Sequence, residues 1–160
     1  MNPKLLIVDD DEEIRTQMKW ALTQDYDIVM AGDGASALEA FRASRPPVVL
    51  LDLGLPPSPG DPETGLATLR ELVTLDNLVK VIVITGQGEK SIGHRAIGSG
   101  ASDFLCKPVE MDDLKVILKR CYYVSQLERE IREIQQKDRG DAFDGMLGFR
   151  VPIARRNSSV

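Results

Sequence analysis

The chain has 160 residues, of which 42% are hydrophobic and 28% charged, enough for one compact domain plus an extension and too apolar for a disordered chain. Apolar runs such as Leu5–Val8, Val48–Leu51 and Val81–Ile84 are far shorter than the ~20 residues of a membrane-spanning helix, and no export signal follows Met1, so the expected location is cytoplasmic. Residues 1–111 hold 17 acids against 10 bases, which makes this part a poor direct binder of nucleic acid.

Short apolar runs alternate with amphipathic stretches of 10 to 15 residues, the pattern of parallel βαβ units. Strands are predicted at Lys4–Asp9, Asp27–Ala31, Val48–Asp52, Lys80–Thr85 and Asp103–Cys106. Helices are predicted near Glu12–Leu22, Ser36–Ala43, Thr64–Asp76, Gln87–Ser99 and from Met111 onward. Three strands are continuously apolar, as expected when helices cover both faces of a sheet. The implied fold is α/β, an open (βα)5 doubly wound parallel sheet of flavodoxin-like type with an extended C-terminal helix.

From Ile117 the apolar residues Leu118, Cys121, Val124, Leu127, Ile131 and Ile134 continue a helical stripe to about Gln136, resembling a coiled-coil seam. Glu128 with Arg132, Arg129 with Glu133 and Glu133 with Lys137 stand four apart on the solvent side. The reading is a domain over residues 3–122, a helical linker over 123–139 that dimerises or folds back, and a tail over 140–160. Cys106 and Cys121, with His94 the only histidine, cannot form a closed zinc site, and both cysteines read as small buried hydrophobes.

In open parallel sheets ligands bind at the carboxyl ends of strands, where the strand order reverses. The first predicted strand ends in Asp9-Asp10-Asp11, the third in Asp52, the fourth in Thr85-Gly86, and the fifth in Lys107-Pro108. Crowded carboxylates repel unless a cation separates them, and hard oxygen donors suit Mg²⁺, here between Asp9 or Asp10 and Asp52. A metal, a lysine and a hydroxyl at one rim would stabilise a phosphoryl group in transfer, with Asp52 as nucleophile. Each element also has a structural reading: Asp11 could cap the next helix, Asp52 could be a turn acid, and Lys107 a solvated lysine. Their joint occurrence at four strand ends is the specific signal.

The runs Leu-Leu-Ile-Val-Asp-Asp-Asp, Val-Val-Leu-Leu-Asp-Leu-Gly-Leu-Pro, Val-Ile-Val-Ile-Thr-Gly and Asp-Phe-Leu-Cys-Lys-Pro resemble the receiver domain of two-component response regulators over residues 3–122. The resemblance implies that Asp52 accepts a phosphoryl group from a sensor histidine kinase. It implies a Mg²⁺ sphere of Asp10, Asp9 acting through water, Asp52 and the backbone carbonyl of Gly54. Thr85 and Lys107 would bond phosphoryl oxygens, and Phe104 would be the aromatic switch that turns inward when Thr85 moves. The output face would comprise the fourth helix, fifth strand and fifth helix, around Ile92, Ile97, Phe104 and Tyr122, with homodimerisation through this face or the C-terminal helix. The chain would be a switch in transcription regulation, not an enzyme.

Leu-Gly-Leu-Pro-Pro with Gly-Leu-Ala-Thr-Leu is similar to a narrower group, NtrC-like regulators of the PEP-CTERM exopolysaccharide system, whose receivers precede an AAA+ domain. Phe143–Gly148 resembles the entry to such a domain, but no Gly-x-x-x-x-Gly-Lys-Ser/Thr loop follows within the chain. Residues 57–63 depart from a compact receiver as a Pro-rich insertion, either a spacer or a recognition element. Three rival readings are a haloacid-dehalogenase-type phosphatase opening on Asp9-x-Asp11, an FMN binder, and a degenerate receiver used only for interaction. The first lacks a Thr or Val at Glu13 and leaves Asp52 idle; the second would have its phosphate repelled by three aspartates.

Overall fold

The computed structural model describes residues 2–58 and 60–148, with side chains described through Asp138. Five strands, β1 (Lys4–Val8), β2 (Asp27–Ala31), β3 (Val48–Asp52), β4 (Lys80–Thr85) and β5 (Asp103–Cys106), form one parallel sheet in the order β2-β1-β3-β4-β5. Helices α1 (Glu12–Leu22), α2 (Gly34–Ser44), α3 (Glu63–Leu75), α4 (Lys90–Gly98) and α5 (Met111–Gly148) follow the strands in turn. By internal contacts the chain divides into residues 1–125, which contain the sheet, and residues 126–160.

The continuous apolar strands are explained by two cores. Leu6, Val8, Val49, Leu51, Val81 and Val83 face one side, where Phe41 of α2, Leu66, Leu69 and Leu72 of α3, and Ala96 of α4 close over them. Their neighbours Leu5, Ile7, Val48, Leu50, Ile82 and Ile84 face the other, against Met18 and Leu22 of α1 and Leu114, Leu118 and Cys121 of α5. Strand side chains alternate between faces, so a strand covered on both sides must be apolar at every position. The carboxyl ends of β1 and β3 lie side by side where the chain's winding reverses, and this places the ends of both strands on one cleft.

Local chemistry sets the helix starts. Asp11 is the N-cap of α1, its Oδ1 accepting from the N–H groups of Glu13 (2.9 Å) and Ile14 (3.3 Å). Asp33 and Ser36 form a capping box at α2, which holds the Asp33 carboxyl below its ordinary range. Gly65 in α3 packs flat on the chain after β3: a Cβ there would stand 2.5 Å from Leu53 Cα and 2.6 Å from its carbonyl oxygen. No other residue type permits that approach without moving the backbone.

Three sequence expectations change. The first strand stops at Val8, because the chain turns at Asp9 to direct its carboxylate into the cleft. The last helix continues past Gln136, through Gly140 and on to Gly148; glycine weakens a helix interior by about 1 kcal/mol without ending it, and the next proline stands at Pro152. The remainder of the tail, from 149, lies outside the described residues. Tyr122 does not belong to the expected output face: its ring stacks on Tyr26 with centroids 5.0 Å apart and its hydroxyl donates to the carbonyl of Lys4, near the opposite edge of the sheet. One residue along a helix is a rotation of about 100°, enough to carry Tyr122 away from the α4 side.

Candidate functional site

The turn after β1 divides three identical side chains among three tasks. Asp11 caps α1, Asp10 is exposed, and Asp9 is buried at 2% exposure with Oδ1 accepting the Asp11 N–H at 2.9 Å. Arg15, one turn into α1, donates from its guanidinium to the Asp9 carbonyl and so clamps the turn from behind. Neither this arginine nor its role was visible in the motif pattern, since it depends on how the turn is folded.

Asp52 ends β3 with only 3% exposure, and both of its carboxylate oxygens are held. Oδ2 accepts from Lys107 Nζ at 2.9 Å and Oδ1 from the Gly54 N–H at 2.8 Å. Lys107 reaches across from the end of β5, where its own N–H donates to the Thr85 carbonyl at 2.9 Å. Carboxylate oxygens of Asp9, Asp10 and Asp52 lie within 4.8 Å of one another, close enough to share one cation.

Electrostatics record the crowding. Burial, reinforced by the Asp52 charge and opposed by the Asp11 N–H and by Lys107, pushes the Asp9 carboxyl up to about 6. Burial alone would lower the Lys107 ammonium, but Asp52, Asp9 and Asp10 together raise it. An all-oxygen set with an exposed member, Asp10, is the donor chemistry of a hydrated hard cation and unsuited to soft metals. The repulsion between Asp9 and Asp52 is what a cation there would relieve.

Next to this set, a cavity of about 110 Å³ opens over Asp52, lined by Gly54, Thr85, Gly86, Glu89 and Lys107 among others. Gly60 and Pro62 also line it, so the Pro-rich insertion forms part of the wall and is more than a remote spacer. Glu63, at the start of α3, pairs with Arg95 of α4 at 2.9 Å; both side chains are more than half exposed, so the pair contributes little energy. Thr85 is buried, and its hydroxyl points to β5, donating to Cys106 Sγ at 3.3 Å. Cys106 is therefore half-buried and hydrogen-bonded, not the buried hydrophobe expected; Cys121 is buried as expected.

Phe104 is half-buried on β5, its ring seated directly on Gly93 of α4, with His94 edge-on at 5.4 Å. Of the remaining output-face residues, Ile97 is 41% exposed and Ile92 packs against the core. All of Asp9, Asp10, Asp52, Gly54, Thr85 and Lys107 thus meet at one cleft, with Phe104 two positions before Cys106 on β5 and so on the same face as the Thr85–Cys106 pair.

A five-stranded parallel sheet of this order with an acidic cleft at its switch point defines the receiver class of α/β proteins, and relationships to known proteins agree. Residues 5–119 match the family described as response regulator receiver domain, and the chain belongs to that family. It is 30% identical over 134 residues to the regulatory protein AtoC of Escherichia coli, covering 83% of this chain and 28% of AtoC. It is 30% identical over 121 residues to sporulation initiation phosphotransferase F of Bacillus subtilis, covering 75% of this chain and 94% of that protein. The crystal structure of NtrX from Brucella abortus in complex with ADP superposes with a TM-score of 0.75 at 33% identity, over 84% of this chain and 30% of NtrX. The chain is thus a receiver domain of the two-component response regulator family, and nothing among these relatives supports the phosphatase reading. It spans less than a third of the length of AtoC and NtrX. Among the described residues, no helix is long and apolar enough to cross a membrane.

Proposed function

We propose that Asp52 is the phosphoacceptor, that a sensor histidine kinase is the donor, and that Mg²⁺ is held by Asp9, Asp10, Asp52 and the backbone carbonyl of Gly54. The observation that carries this reading is the setting of Asp52: a buried carboxylate fixed by Lys107 and the Gly54 N–H, beside two further carboxylates, with a cavity open in front of it. In the reaction a carboxylate oxygen of Asp52 forms a bond to phosphorus. The phosphorus–nitrogen bond to the donor imidazole breaks, its electron pair returning to the ring. Mg²⁺ supplies charge neutralisation for the carboxylates and the phosphoryl oxygens. Lys107 transfers its ammonium from the Asp52 carboxylate to a phosphoryl oxygen, and Thr85 exchanges its bond to Cys106 for another.

The switch follows from the same contacts. Thr85 and Phe104 lie on neighbouring strands and share the face covered by α4, so drawing Thr85 toward the phosphoryl group opens room for the Phe104 ring to leave Gly93. Homodimerisation through the α4–β5–α5 face is supported by the exposed Ile97, and a coiled-coil role for α5 by the exposed Leu127, Ile131 and Ile134 at intervals of four and three. The whole protein would then be a transcriptional regulator of NtrC-like type, cytoplasmic, with residues 140–160 leading to its effector domain. Incubation with Mg²⁺ and acetyl phosphate, followed by intact mass and site trapping, tests the assignment. The expected result is one Mg²⁺-dependent phosphate on Asp52, absent from Asp52→Asn; phosphate retained by that variant refutes it.

A further inference from the structure

Glu89 belongs to none of the motifs, yet it stands at the mouth of the cavity over Asp52. It is the residue just before α4, and its side chain folds back so that Oε1 accepts the Gly86 N–H at 3.0 Å. The carboxylate lies so close to the Gly86 Cα that a Cβ added there would collide with it. Gly86 directly follows Thr85, and both line the same cavity as Asp52 and Lys107. A backbone N–H on the wall of a cleft that receives an anion is a donor for that anion. Here the donor is already engaged by a carboxylate of the protein itself.

We propose that Glu89 is a resident anion of the cleft: its carboxylate occupies the Gly86 N–H that an arriving phosphoryl group would engage, and its charge opposes that arrival. Glu89 thereby sets the rate at which Asp52 is phosphorylated. This rests on the reading of Asp52 as phosphoacceptor. Two effects act together. The doubly charged donor meets one more negative charge at a cleft that already holds the carboxylates of Asp9, Asp10 and Asp52 beside Lys107. In addition, Glu89 must swing out before the Gly86 N–H is free. That motion leaves α4 intact, because the helix is tied to Glu89 through its backbone, the Gly93 N–H donating to the Glu89 carbonyl at 3.2 Å.

Glu89→Gln removes the charge and keeps an acceptor for Gly86, whereas Glu89→Ala also frees the N–H. Phosphorylation by acetyl phosphate and binding of beryllofluoride, an uncatalysed phosphoryl mimic, are measured for both, with Glu71→Gln on the exposed side of α3 as a charge-matched control and urea unfolding as a check of the fold. The expected result at low salt is a rate about three- to tenfold above wild type for the Gln variant and at least as high for Ala, with tighter beryllofluoride binding and a gain that shrinks as salt is added. Folded Glu89 variants that react at the wild-type rate overturn the proposal, as does an equal gain in Glu71→Gln, which would trace the effect to net charge. A wild-type chain that takes no label, or a labelled Asp52→Asn, overturns the phosphoacceptor assignment and this inference with it.

Discussion

Replacing Asp9 by Asn should stabilise the metal-free protein while abolishing its response to Mg²⁺. Burial beside Asp52 raises the Asp9 carboxyl from an ordinary 3.8 to about 6, so between those values the folded chain holds a proton that the unfolded chain has released. Stability attributable to this group is therefore greatest below about pH 4 and falls as the pH rises toward 6, above which the charged, crowded carboxylate exists in full. A shift of about two units corresponds to about 3 kcal/mol, and the opening of the cleft to solvent at Asp10 reduces the expectation to about 1–2 kcal/mol. Asn keeps the acceptor for the Asp11 N–H and offers an amide donor toward Asp52, so no buried polar group is stranded. Urea unfolding in EDTA near pH 7.5 should place the variant above wild type by that amount, with the difference vanishing near pH 4. In millimolar Mg²⁺ the order should reverse, since ligand binding stabilises only the chain that retains the site. A variant equal to or weaker than wild type in EDTA at neutral pH would show that Asp9 is not strained in the folded state and would undo the argument.

Two further outcomes follow from neighbouring contacts. Lys107→Ala leaves Asp52 buried without its ammonium partner; the metal-free protein should lose about 1 kcal/mol in urea unfolding, and phosphorylation should no longer change sedimentation. A normal sedimentation response would remove Lys107 from the coupling. Gly65→Ala drives a methyl into the Leu53 backbone next to Asp52 and should cost about 1–3 kcal/mol with slower labelling of Asp52; an unchanged unfolding midpoint would mean that α3 can shift without disturbing the loop.

The sheet was legible because its strands are covered on both faces, so each appears as an unbroken apolar run that stops at a turn. The cleft was legible for a related reason: when strands run parallel, the residues that end them gather at one rim, and Asp52, Thr85 and Lys107 needed only counting to be brought together. Directions of side chains on α5 were harder, as Tyr122 shows; a helix position close to the apolar stripe can turn toward either flank, and only the neighbour it finds, here Tyr26, settles which. Arg15 and Glu89 escaped notice because each acts through a backbone group of a turn, Asp9 C=O and Gly86 N–H, and periodicity contains no information about where a turn directs such groups. The hydrogen bond from Thr85 to Cys106 was hidden by the assumption that a cysteine on a strand is merely a small hydrophobe.

The cap at Asp11 has a meaning beyond the start of one helix. Three successive aspartates present a slippery run: shifted by one place, Asp10 would enter the buried seat, Asp11 would face solvent, and the composition of the turn would look unchanged. In that frame the cap would fall to Glu12, whose longer side chain is outside the group of strong N-caps. The change from aspartate to glutamate at position 12 thus acts as an index mark, locking the frame of the turn so that the carboxylate aimed at the cleft is always the one belonging to Asp9.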